Sequence, residues 1–125
     1  MALRDLPPDV QEQLQRFQQL EQNTRAIQYQ LETIKSSLNE TEATLKALEG
    51  LSPDDEVYKS VGKVMFKITV AKVREELEDK KEILELRKIT YEKQERKSKQ
   101  DLETAQKALQ QKLGMVPGLG EQRPS

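Results

Sequence analysis

The sequence predicts a mostly α chain. Two long helices fold back on each other as an antiparallel two-helix coiled coil, and one β hairpin at its base assembles into an inter-subunit β-barrel. Three observations predict this. Apolar residues return every three or four positions from Phe17 to Leu48, they alternate from Val57 to Val70, and a looser helical spacing runs from Val73 to Leu113. A three-and-four repeat lays one stripe along a helix, whereas alternation lays one face on a strand. The boundaries so read are a lead at 1–9, helix one at 10–49, a linker at 50–56, the hairpin at 57–70, helix two at 71–113 and a flexible tail at 114–125.

Helix one opens at Pro7 and Pro8, where a missing N–H costs nothing, and Asp9 and Glu12 put negative charge at the positive end of the helix dipole. Its seam is Phe17, Leu20, Thr24, Ile27, Leu31, Ile34, Leu38, Thr41, Leu45 and Leu48, a heptad pattern weakened by two Thr. Val10 and Leu14 enter the seam out of phase, which reads as a stammer near Leu14. Gly50 stops the helix and Pro53 follows it. Ser52 to Glu56 suit one further helical turn, with Ser as cap and Pro at the first position.

In the alternating segment Val57, Lys59 and Val61 share one face of the first strand, and Val64, Phe66, Ile68 and Val70 share one face of the second, with Gly62-Lys63 as the turn. In helix two Leu77, Leu84, Tyr91, Ser98 and Ala105 are spaced by sevens, but the seam positions between them are polar until Leu102 and Leu109. Ile83, Leu86 and Ile89 flank this line. Glu76–Lys80, Glu92–Arg96, Glu95–Lys99 and Glu103–Lys107 are spaced to support the helix as i,i+4 pairs. Gly114 ends it.

Two helices of similar length joined by a hairpin predict antiparallel rods of roughly 60 Å, with both termini at the free tip. A lone two-stranded hairpin is marginal in water, and this one carries Val57, Val61, Val64, Phe66, Ile68 and Val70 with two open edges. Joining the hairpins of several chains into closed sheets removes those edges. The assembly residues expected on this ground are Val57, Tyr58, Val61, Gly62, Val64, Phe66, Ile68 and Val70.

Composition narrows the function classes. Of 125 residues 34% are charged and only 4% aromatic, too few large apolar groups for an ordinary globular core. The absence of Cys and His removes thiolate chemistry, zinc sites of the usual kind and His-based proton transfer. A net charge of −1 gives no general attraction to nucleic acid or to an anionic membrane. No apolar run reaches the roughly 18 residues a membrane span needs, and the first residues lack a signal-peptide stretch. A soluble, cytoplasmic protein with no cofactor is expected.

Residues 56–77, EVYKSVGKVMFKITVAKVREEL, lie between two coiled-coil helices and resemble the β-type subunits of the prefoldin family. The matching elements are Val57-Tyr58-Lys59, Gly62, Val64-Met65-Phe66 and Leu77. One hairpin instead of two points to the β-type over the α-type. The resemblance implies an α2β4 hexamer with an α-type partner and a double β-barrel platform bearing six coiled coils. It also implies capture of unfolded polypeptides and delivery to a group II chaperonin without ATP.

Other motifs reduce to simpler readings. Gly62-Lys63 is no phosphate loop, because Val57 stands where a Walker A motif needs Gly and Val64 where it needs Ser or Thr. Glu75-Glu76 and Asp54-Asp55 read as solubilising charge, so no catalysis is assigned. The basic run Arg87, Lys88, Lys93, Arg96, Lys97 and Lys99 is interrupted by Glu92 and Glu95 and reads as a solvated coil face. The client-binding candidates are the apolar residues near the free tip: Leu14, Phe17, Leu20, Leu102, Ala105, Leu109 and Leu113. A two-helix tip has no third partner, so part of this surface is expected to stay open to apolar segments, with Met115, Val116 and Leu119 adding contacts. The competing reading is a structural or tethering coiled coil that dimerises in parallel and binds no client. It leaves Gly50, Pro53 and the alternating middle unexplained.

Overall fold

The computed structural model describes residues 5–115. Helix α1 spans Pro8–Ala47, strands β1 and β2 span Glu56–Val61 and Val64–Thr69, and helix α2 spans Val70–Gly114. Two long helices bracketing one antiparallel hairpin are what the changes of spacing predict. The chain divides into a hairpin unit, Leu31–Thr90, and a terminal unit whose described part is residues 5–30 with 91–115.

In the hairpin unit the α1 seam buries Leu31, Ile34, Leu38, Thr41 and Leu48, and α2 buries Val70 and Leu84. Between the apolar seam positions of α2 stand Arg74, Lys81 and Lys88, all half-buried. Such side chains cover apolar surface with their stems while the charge stays wet. The Arg74 guanidinium donates to the Leu48 carbonyl at 3.1 Å, satisfying an end carbonyl of the helix.

Helix α1 stops because Gly50 takes φ +86°, a conformation costly for any residue with a Cβ. Residues 52–55 then form a turn and not the helical turn expected. The Asp55 N–H donates to the Ser52 carbonyl at 3.0 Å, and the Ser52 N–H donates to the Asp55 carboxylate at 2.8 Å. The hairpin turns at Gly62-Lys63. Gly62 has φ +59° and Lys63 does not share the positive sign, the type II′ pattern with Gly in its first central position. Pairing runs from Val61 opposite Val64 to Glu56 opposite Thr69.

Val70 is a correction to the expected hairpin. It is the first residue of α2 and fully buried. Its N–H donates to the Asp55 carbonyl at 2.8 Å, and the Ala71 N–H donates to Pro53 at 3.0 Å. Thr69 caps the helix by accepting the Lys72 N–H at 3.3 Å.

In the terminal unit α1 and α2 run antiparallel: Asp9 meets Lys112 and Thr24 meets Ser98. Thr24, Ser98, Ala105 and Leu109 are buried, while Ile27, Tyr91, Glu95 and Leu102 are half-buried. Val10 lies one heptad before Phe17, and half-buried Gln13 occupies the position between, so the seam needs no phase break at Leu14. Of the expected i,i+4 pairs, Glu95–Lys99 and Glu103–Lys107 form at 3.8 and 3.1 Å. Glu76 instead reaches across to Lys59 on β1 at 2.5 Å.

Candidate functional site

Two clusters of apolar side chains stand out among the described residues. The first is the hairpin. Register places Val57, Lys59 and Val61 with Val64, Phe66 and Ile68 on one face, and Tyr58 and Ser60 with Met65 and Lys67 on the other. Neither face is covered. Tyr58 and Met65 are 65% and 66% exposed on one, and Val61, Val64 and Phe66 are 51–54% exposed on the other. Val57 and Ile68, nearer the helices, are half-buried. A groove of about 470 Å³ is lined by Val61, Phe66 and Ile68 together with Lys59, Lys67 and Lys72.

The edges are open as well. A two-residue turn makes Val61–Val64 a hydrogen-bonded pair, and alternation extends this to 59–66 and 57–68. Tyr58, Ser60, Met65 and Lys67 therefore point their backbone N–H and C=O groups outward. The sheet has only two strands, so nothing in the described chain pairs with them.

The second surface lies in the terminal unit. Val10 and Leu109 form a small core with Leu6, Leu14, Phe17 and Leu113 packed half-exposed around it. The fold thus brings four of the seven client-binding candidates together: Leu14, Phe17, Leu109 and Leu113. Leu109 and Ala105 are buried, while Leu20 and Leu102 are half-buried along the seam. Val10 and Leu6 were not among the candidates, although Val10 is the most buried member of the cluster. Leu6 stands just ahead of the helix, where an apolar residue can fold back on the first turn.

Polar contacts fix this end. Gln11 Nε2 donates to the Leu6 carbonyl at 2.7 Å, and the N–H groups of Val10 and Gln11 both donate to Pro7 at 3.0 Å. Lys112 Nζ donates to Asp9 Oδ2 at 2.7 Å. That hydrogen bond, more than any other influence, holds the Asp9 carboxyl below the usual carboxylate range. Met115 is 81% exposed; Val116 and Leu119 lie outside the described residues.

Among the described residues no three acidic side chains converge to hold a metal ion. None of the described helices is long and apolar enough to cross a membrane. The arrangement offers apolar surface and strand edges, the means of gripping other polypeptides.

Comparison with known proteins agrees with that geometry. The family model for prefoldin subunits matches residues 11–115. A prefoldin subunit beta of Saccharolobus islandicus is 40% identical over 108 residues, covering 86% of each chain. One from Methanothrix thermoacetophila is 39% identical over 117 residues, 93% of this chain and 97% of the other. The crystal structure of the prefoldin beta subunit from Thermococcus strain KS-1 superposes with a TM-score of 0.77 at 32% identity, over 90% of this chain and 98% of that one.

Proposed function

Since the chain belongs to the prefoldin family, we propose that it is the β-type subunit of an α2β4 chaperone, a binding protein and not an enzyme. It holds unfolded polypeptides without ATP and passes them to a group II chaperonin in the cytoplasm. The hairpin carries assembly: Val57, Tyr58, Val61, Val64, Phe66 and Ile68 meet strands of neighbouring subunits, and Gly62 shapes the turn that presents them. Val70 serves from beneath, by anchoring the hairpin to α2.

The observation that carries this reading is the hairpin itself. Five large apolar side chains stand more than half exposed on a two-stranded sheet with both edges free. Fully burying one such side chain is worth about 1.5–3 kcal/mol, so the half left open on Phe66 alone offers about 1 kcal/mol to a neighbour. Strand pairing adds backbone hydrogen bonds to that gain.

Clients are gripped at the terminal unit, by the half-exposed Leu14, Phe17, Leu20, Leu102 and Leu113, with Ala105 and Leu109 as the floor beneath them. One such patch binds weakly. Several around one cavity hold a client through effective concentration, without demanding a particular sequence. The test is a Phe17→Ser, Leu113→Ser double variant, assayed for suppression of client aggregation alongside its native mass. The reading expects an unchanged hexamer with suppression reduced several-fold; full suppression by an intact hexamer refutes the client site.

A further inference from the structure

Charge distinguishes the two open edges of the hairpin. Strand β1 carries Glu56 and Lys59, whereas β2 carries Lys67 and no acid, with Lys63 just ahead of it in the turn. Beyond the other end of β2, Lys72 stands in the first turn of α2. Lys59 is held by Glu76 at 2.5 Å, and Lys67 by Glu56 at 3.6 Å. Lys63 and Lys72 are exposed, and neither forms an ion pair with any described residue. Two uncompensated cations therefore bracket β2.

The apolar groove of the hairpin runs along this same strand. Phe66, Lys67, Ile68 and Thr69 are consecutive β2 residues in its wall, and every charged residue that lines it is a lysine: Lys59, Lys67 and Lys72. The acids nearest in the chain, Asp54, Asp55, Glu56, Glu75 and Glu76, are absent from that lining. Whatever covers the groove also covers the β2 edge, where Met65 and Lys67 aim backbone N–H and C=O groups outward. Once covered, those groups must be paired. An added strand pairs them, so the occupant is an extended segment. Its apolar side chains face Phe66 and Ile68, and its carboxylates face the lysines.

A second copy of this chain fits poorly. Antiparallel pairing of β2 with β2 about Phe66 brings the turn of each copy, with Lys63, to the end of the other that bears Lys72. Like charges so placed repel. The β1 edge of a second copy offers one carboxylate, Glu56, which Lys67 of its own chain already holds. We propose that the β2 edge and its groove receive a carboxylate-bearing strand of the α-type partner, with Lys63 and Lys72 selecting that strand over another copy of this chain. This rests on the assembly proposed above and adds which edge meets the partner and by what chemistry.

The test is calorimetric titration of an α-type prefoldin subunit into the full-length chain at several salt concentrations, with native mass spectrometry of the chain alone. Both lysines are exposed and lie outside the strands, so substituting them leaves the ladder in place, which circular dichroism checks. Wild-type affinity should fall as salt rises. Lys63→Glu, Lys72→Glu should raise the dissociation constant about tenfold and remove that salt dependence, because two attractive contacts become repulsive. Lys63→Gln, Lys72→Gln should raise it about threefold. An affinity and salt dependence untouched by the Glu pair would overturn the proposal while leaving the assembly reading standing. So would a Gln pair that associates with its own copies yet binds the α-type subunit as tightly as wild type, since the lysines would then serve only to keep copies apart. A wild-type chain that does not bind the α-type subunit would overturn both.

Discussion

The buried hydroxyl pair in the terminal unit makes an asymmetric prediction. Thr24 Oγ1 donates its one proton to the Leu20 carbonyl at 2.8 Å. In its 2.5 Å contact with Ser98 it must therefore accept, and Ser98 must donate. Thr24→Val removes that acceptor and leaves the Ser98 hydroxyl, 8% exposed, in an apolar layer. An orphaned buried donor costs about 1–3 kcal/mol. Ser98 can turn back to a carbonyl of its own helix, which puts the expected cost near the lower end, about 1 kcal/mol. Ser98→Ala leaves Thr24 bonded to Leu20; the lost bond, about 0.5–1 kcal/mol, is largely offset by the higher helix propensity of Ala. The double variant removes both polar groups and should recover most of what Thr24→Val loses. Thermal melts at one fixed protein concentration should show Thr24→Val lowest, by roughly 4 °C, with Ser98→Ala and the double variant close to wild type. If Thr24→Val melts at or above wild type, or if the two substitutions simply add, the proton assignment is wrong.

Two further perturbations follow from the turn and from the terminal ion pair. Gly62→Ala places a Cβ in open space, with nothing within 4 Å, so its cost is the φ of +59° alone, about 1–2 kcal/mol; a melt equal to wild type would refute the strain, and Gly62→Asn should cost less. Asp9 has a lowered folded-state pKa, so its contribution to stability is complete above the unfolded carboxylate pKa and is lost as pH falls through the folded value. Asp9→Asn should accordingly flatten the acid side of a stability–pH profile without altering its slope near neutrality, and an unchanged acid side would contradict that role.

The α1 seam, the hairpin and the Gly62 turn could be read from the chain because their apolar residues carry the period openly. Half of the α2 seam could not. Arg74, Lys81, Lys88 and Glu95 occupy its alternate positions, and charged side chains that lay their stems on a neighbouring helix look solvated in a sequence. Val70 satisfies both periods, two residues after Ile68 and three before Val73: its N–H still bonds the Asp55 carbonyl as the next rung of the hairpin would, while the helix begins at it. At the terminal cluster the apolar pattern supplied Leu14, Phe17, Leu109 and Leu113. It missed Val10 because polar Gln13 holds the seam position between it and Phe17, and Leu6 because it stands ahead of the helix. The Ile83, Leu86, Ile89 stripe was visible as spacing, but its exposure depended on which face α2 gives to α1.

The central claim is that the strand edges between Val57 and Ile68 join separate chains. Native mass spectrometry of the chain mixed with an α-type partner, for wild type and for the Phe66→Asp, Ile68→Asp variant, tests it most directly. The account predicts a hexamer of two partner and four β chains for wild type, and dissociation to smaller species for the variant with its helices intact by circular dichroism. A variant that still forms the hexamer, or a wild-type chain that stays single with its partner present, would contradict it.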